Sequence, residues 1–149
     1  MLTYRPSLLE DCKHLSWKIR PADRREVLDV AGITPLQAFE EGFRASLRPL
    51  TVVKVHPVAM CGVVPLEGSE GVVWLLGTPG IETNKVSFIR QSRQVLDEVC
   101  DPFSVVYNCI DKRNTVHLRW LQWLGFSIIN EIEEFGINGI PVYEFARIC

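Results

Sequence analysis

Residues 103–126, FSVVYNCIDKRNTVHLRWLQWLGF, constrain the fold of this chain more than any other stretch. Val105, Val106 and Tyr107 form a β-branched and aromatic run of the kind that makes a buried strand. Asp111 and Asn114 then supply turn and helix-cap chemistry. Val116, Trp120, Leu121 and Leu124 follow at helical spacing, and Gly125 stops the helix because it turns left-handed without a Cβ clash. Phe126 leads into SII, a return strand. A strand, a tight turn, a three-turn helix and a second strand make one compact α/β unit.

The rest of the chain supplies partners for that unit. LTYRP reads as a short strand ended by Pro6, with Ser7 placed to cap a helix over Leu8–Ser16. Pro21 interrupts, Ala22–Val30 resumes as a second helical piece, and Gly32 stops it. The charge-rich WKIRPADRRE reads either as a solvated helix face or as a substrate-facing rim. Thr34-Pro35, a capping hydroxyl before a proline, predicts a helix running to about Leu47, with Gly42 a mild weakness inside it. Three strands follow, LTVVKV, AMCGVVPL and GVVWLLGT, and the third is apolar almost throughout, hence central. Gly77 near its end reads as a bulge or close approach, or simply as the end of the strand. TPGIETNK is a loop of turn formers, and VSFIRQSRQVLDEVC is an amphipathic helix with Phe88, Ile89, Val95, Leu96 and Val99 on its apolar side. SIINEIEEFG, a GINGIP turn and VYEFARI close the chain.

The order β-α-α-β-β-β-α-β-α-β-β predicts an α/β fold over residues 1–149. It is a single domain with a mixed sheet: an antiparallel meander, then β-α-β-α-β-β, with helices on both faces. A net charge of -2 gives no electrostatic case for nucleic acid, and no apolar run reaches the ~20 residues of a membrane span. MLTYRPSLLEDCKHL lacks the basic-then-apolar layout of a secretory signal. Five widely spaced cysteines without a CxxC pair read as reduced thiols rather than a metal site. The helix after GVVWLLGT would begin at the carboxyl end of a central strand, where α/β folds bind anions. Backbone amides from Thr83 and Asn84 to Val86, with Lys85, would favour a phosphate there.

The element order resembles that of the GCN5-related N-acetyltransferase (GNAT) superfamily. NTVHLRWLQWLGF (114–126) is similar to its second acetyl-CoA motif, N-x-x-A-x-x-x-Y-x-x-x-G-F, with Asn114 at the capping asparagine and Gly125-Phe126 at the closing pair. WLLGTPGIE (74–82), FIRQSR (88–93) and WLQWLGF also resemble small GNAT-like proteins of tailed bacteriophages, among them the internal virion protein A family. The resemblance implies acetyl-CoA as cofactor, a location in the host cytoplasm or the virion interior, and a host or virion protein as partner. It implies cofactor contacts from Leu76, Thr78, Gly80, Thr83, Asn84, Lys85, Val86 and Asn114, with carbonyl-polarising amides near Leu76 and Thr78. It also places Tyr107 and Asn108 on a strand that splays from its neighbour to admit pantetheine.

Two departures from the family pattern bear on chemistry. The loop has only Gly80 where the family has a glycine pair, and Leu121 stands where many members carry a proton-donating tyrosine. Loss of a positioned acid costs on the order of 10²–10⁴ in rate. His117, in the place of the motif's alanine, could do acid–base work, or simply pack between helix and sheet. Glu82 could act as a base for an amine, or be an ordinary turn carboxylate. Three functions follow: an acetyltransferase acting on an amine of a host protein or small molecule, a non-catalytic virion or assembly component, and a binder of a host protein.

Overall fold

The computed structural model describes residues 1–149. β1 (Thr3–Pro6) leads into three helices, α1 (Leu9–Trp17), α2 (Pro21–Ala31) and α3 (Pro35–Ala45). β2 (Leu50–Val53), β3 (Pro57–Pro65) and β4 (Glu70–Gly77) follow, then a single helical turn α4 (Gly80–Thr83) and the long α5 (Lys85–Cys100). β5 (Val105–Asp111), α6 (Thr115–Trp123), β6 (Ser127–Phe135) and β7 (Ile140–Ile148) complete the chain. The expected mixed α/β architecture is present, with one further helix, α4, where a loop was expected. The two helical pieces on either side of Pro21 are separate helices, and Pro21 opens α2 at its first turn, where a missing amide costs nothing. Helix α3 ends at Ala45, two residues short of Leu47, because the Leu47 amide donates to the Val63 carbonyl instead.

All seven strands form one sheet in the order β1-β2-β3-β4-β5-β7-β6. β1 to β4 are antiparallel neighbours, β4 and β5 are parallel, and β7 lies antiparallel between β5 and β6. Alternation sorts the side chains to two faces. Cys61, Val63, Val106 and Ile110 pack against Val95, Leu96 and Val99 of α5 and Leu121 of α6. Met60, Trp74 and Leu76 point the other way, to Cys12, Leu15 and Phe39 of α1 and α3. The αL glycine Gly125 closes the turn after α6, as the sequence required, and Phe126 meets Phe145 edge to face.

Two local expectations change. Ser7 does not cap α1; its hydroxyl bonds Thr51, and the Leu8 amide is satisfied by the Asp11 carboxylate three residues on. Gly42 is a packing requirement rather than a weakness: a Cβ there would stand 2.6 Å from the Trp74 ring, whose Nε1 donates to Ser46 at the end of the same helix. The β6–β7 turn docks on the far end of α2, with Ile137 N donating to Val30 O and Asn138 N to Asp29 O.

Asp11 ties three elements together. It is 2 % exposed, receives two bonds from Arg5 (2.8 and 2.9 Å), and accepts from the Thr51 hydroxyl at 2.9 Å. Burial pushes its pKa up, but the bonds from Arg5, the Leu8 amide and Thr51 outweigh that and hold it below the usual carboxylate value. With a folded pKa under the unfolded 3.8, its stabilisation is complete above that value and is lost as pH falls through the folded pKa. Asp11→Ala is expected to remove about 3 kcal/mol in urea unfolding at pH 7, by stranding Arg5 and two further donors, the Leu8 amide and the Thr51 hydroxyl. The wild-type–variant difference should shrink below about pH 4 in the same assay.

Candidate functional site

The parallel seam between β4 and β5 is short. Only Glu70, Gly71 and Val72 pair, with Val105, Val106 and Tyr107; beyond them the two strands diverge. At the point of divergence the Asn108 side chain donates to the Val73 carbonyl at 2.7 Å and accepts from the Cys109 amide. Further on, one turn of α2 is wedged between the strands. Asp23 Oδ2 accepts from the Gly77 amide of β4 at 2.8 Å, and three residues later Glu26 Oε1 accepts from the Asp111 amide of β5 at 3.0 Å. The Arg20 amide donates to the Gly77 carbonyl at 2.8 Å. Each spread strand thus ends on a partner from α2 instead of on the other strand.

Hydrogen-bond alternation identifies what the gap leaves open. Thr78 N donates to Val58 O, so Thr78 and, at every second residue back, Leu76 and Trp74 turn their backbones to β3. The backbones of Val73, Leu75 and Gly77 therefore face the gap. Val73 O and Gly77 are taken by Asn108 and α2, which leaves the Leu75 amide and carbonyl without a strand partner. An apolar cavity of about 550 Å³ surrounds this edge and reaches both sheet faces, from Phe88, Ser92 and Trp120 on one side to Val27, Ala38 and Gly42 on the other. Its size falls within the range of small-molecule and cofactor sites.

The residues singled out from sequence are only partly gathered here. Leu76 lines the cavity, but its amide and that of Thr78 face β3, so neither is open to the gap; the amide that faces it is that of Leu75. Gly80 does not open a loop: it starts α4, and a Cβ on it would meet Thr78 and Val58 at 3.2 Å. The Thr83 and Asn84 amides bond to Pro79 and Gly80 within that turn, and the Asn84 side chain is held by Lys54 and Gly80. The open amides begin with Lys85 and Val86 in the first turn of α5, where Asn84 adds no side-chain cap. Asn114 caps α6 by accepting from the His117 amide. Glu82 is exposed, stands outside the cavity and reaches Arg20 at 3.7 Å. Leu121 is buried in the cavity wall and offers no proton.

His117 does line the cavity, half-buried against the Trp120 ring. Its Nδ1 faces two groups that can only donate, Arg20 Nη2 at 3.3 Å and Asn114 Nδ2 at 3.4 Å. The proton of the neutral ring therefore sits on Nε2, which has no protein partner. Burial and the neighbouring Arg20 cation push the pKa down to about 4, against a smaller upward pull from Asp23. A ring so tuned is neutral at pH 7, with its Nδ1 lone pair directed at two donors and its Nε2–H without a protein partner.

The sequence reading did not name Arg20, Asp23, Glu26 or Leu75 individually as members of this site, and it had Asn108 only as one of two residues on the splaying strand. Arg20, Asp23 and Glu26 lie in the segment read as either a solvated face or a rim, and their i,i+3 spacing across the helix-opening Pro21 was the available signal. Burial of Asp23 to 2 % exposure decides for the inward reading. No group of three or more His, Cys, Asp or Glu side chains is placed to hold a metal ion.

No protein-family model and no curated protein matches the sequence. Solved structures do match the fold. A GNAT-family acetyltransferase from Bacillus anthracis superposes with a TM-score of 0.72 at 12 % identity, over 99 % of this chain and 94 % of its own. A GCN5-related N-acetyltransferase from Kribbella flavida gives 0.72 at 16 % identity, over 99 % and 98 %. Salmonella typhimurium YncA, solved with its cofactor acetyl-CoA, gives 0.72 at 14 % identity, over 99 % and 93 %. The chain has the GNAT fold. Within that fold, β5 departs from β4 after Val72–Tyr107, and α5 starts at Lys85.

The His117 environment makes a direct prediction. In a histidine-ring NMR titration its signal should stay that of the neutral Nε2–H tautomer down to about pH 5 and move only near pH 4. Because the folded pKa lies below the unfolded 6.5, His117 contributes stability above pH 6.5 that is lost between 6.5 and 4. Arg20→Leu should raise the titration midpoint, since it removes the adjacent cation.

Proposed function

We propose that this GNAT-fold chain is an acyl-CoA-dependent N-acyltransferase that moves an acetyl group to an amine. The observation that carries the reading is the unpaired Leu75 backbone edge, held open inside an apolar cavity where β4 and β5 part. Such an edge is a partner for an extended amide-bearing chain, because a buried backbone donor and acceptor left unbonded are costly. The residues present fit acetyl-CoA: Leu75 would meet the amide-bearing arm, and the open amides from Lys85, with the α5 dipole and the Lys85 charge, would meet the diphosphate. Bound acetyl-CoA would supply an activated thioester. The chain's own residues exclude water with apolar walls and keep His117 neutral beside the gap. Leu121 provides no acid, but a thiol of ordinary pKa about 8.5 can depart as the anion near neutral pH.

A second reading is a GNAT-fold protein without catalysis, serving as a virion or assembly component or binding a host protein. It is favoured by Leu121 and by α4, which occupies the stretch where the family carries its glycine-rich loop. The likeness of WLLGTPGIE, FIRQSR and WLQWLGF to phage proteins supports a phage origin under either reading, with action in the host cytoplasm or the virion interior.

Thermal unfolding with acetyl-CoA separates the two. A ligand at one hundred times its Kd stabilises by about 2.7 kcal/mol, and the acyltransferase reading expects an increase that saturates with concentration. Leu75→Pro deletes an amide that no strand uses and should weaken acetyl-CoA at least about tenfold; because Leu75 also packs against both core clusters, Leu75→Ala, which keeps the amide, is the control that should retain binding. Absence of any shift at millimolar acetyl-CoA would leave the non-catalytic reading standing.

A further inference from the structure

The cavity continues past the gap onto the α1–α3 face, and this half of it has a composition of its own. Ala38 and Ala45 of α3 line it with Val64, Phe135 and Val27 of α2, while the space at Gly42 between the two alanines is taken by the Trp74 ring. Small residues on a helix face that overlies a sheet leave room where larger ones would fill the interface. The room is therefore built by the sequence. The charged side chains on the cavity wall are Glu26 and Glu41, with neutral His117; no lysine or arginine lines it. Glu26 is half-buried and uses only Oε1, on the Asp111 amide, so Oε2 has no protein partner.

We propose that this chamber is the acceptor site for a primary amine carried on an uncharged apolar body, with Glu26 Oε2 receiving the ammonium. The assignment rests on the acyltransferase reading above and specifies its substrate class. An anionic acceptor would meet two carboxylates, and a polycation would bring further charges against walls that offer mainly hydrocarbon. An arylalkyl or alkyl amine places one charge at Glu26 and buries the rest. Glu26 then takes one proton from the ammonium: an N–H bond breaks, an O–H bond forms, and the nitrogen lone pair becomes free to attack. Burial and the nearby Asp23 and Asp111 charges raise the Glu26 pKa against a downward pull from the Asp111 amide, which makes it a better proton acceptor than an exposed carboxylate.

The test uses the whole chain and reads binding separately from turnover. Calorimetric titration with 2-phenylethylamine and with its neutral isostere 2-phenylethanol should show the amine binding at least about tenfold tighter. Glu26→Gln keeps an oxygen for the Asp111 amide, so it should preserve the fold and the alcohol's affinity and abolish the preference for the amine. A purely structural Glu26 would not produce that selective loss. Ala38→Leu, which fills the chamber, should weaken both compounds. Equal affinity for amine and alcohol in the wild type, or a preference that survives Glu26→Gln, would overturn the assignment. Mass detection of N-acetyl product with 2-phenylethylamine, spermidine and a lysine peptide distinguishes the two levels of inference. Acetyl-CoA binding with acetylation of spermidine or peptide but not of phenylethylamine defeats the acceptor class alone, whereas no calorimetric signal with acetyl-CoA defeats the acyltransferase reading.

Discussion

Two carboxylates one helical turn apart hold this molecule's central seam open. Asp23 and Glu26 accept the Gly77 and Asp111 amides, so the ends of β4 and β5 are satisfied while separated. Without such partners, parallel neighbours would gain by zipping together, because every buried backbone group left unpaired costs free energy. The pairing that does form, Glu70–Val72 with Val105–Tyr107, stops where Asn108 takes the Val73 carbonyl. A polar side chain at the crotch and two at the open end define a gap in which the unassigned edge of β4 is Leu75.

The same arrangement fixes the electrostatics around the gap. Arg20 sits between Asp23 at 2.8 Å, Glu82 at 3.7 Å and the Nδ1 of His117 at 3.3 Å. It neutralises the buried carboxylate at 23 and disfavours a second cation at 117. Removing one partner of such a buried pair is more damaging than the pair is stabilising, since the remaining charge stays in a medium that solvates it poorly. The cluster sets geometry and protonation states, while stability comes from the apolar packing of α5 and α6 on one face and α1 and α3 on the other.

Much of this fold was legible in the sequence because its signals are local. Thr34-Pro35 opens α3 and Gln37 completes a reciprocal cap; Gly32 and Gly125 take positive φ where helices stop; the apolar run GVVWLLG lies fourth of seven strands. The site was less legible because it depends on which backbone groups lack partners. Leu75 carries no chemical mark; its amide matters only because β5 diverges beside it. Asp23 and Glu26 resemble any solvated helix charges until the ends of two strands are placed against them. His117 was a candidate only through its place in the family's motif, and its ordinary titration range could not survive a guanidinium ninety-seven residues earlier in the chain, folded to within 3.3 Å. The TPGIETNK stretch misled for a different reason: turn formers also make a single helical turn, and α4 uses the amides that a loop would have left free.

Helix α2 is fastened at both ends. Its start is tied to Gly77 of β4, and its finish to the β6–β7 turn through Val30 and Asp29, with Gly136 packed so close to the Val30 backbone that a Cβ would stand 2.5 Å away. A beam anchored twice behaves as a strut: it resists swinging aside, and it resists collapsing into the space it spans. The cleft is therefore kept in its receptive shape before anything enters, and an incoming molecule is relieved of the free-energy cost of prising the strands apart.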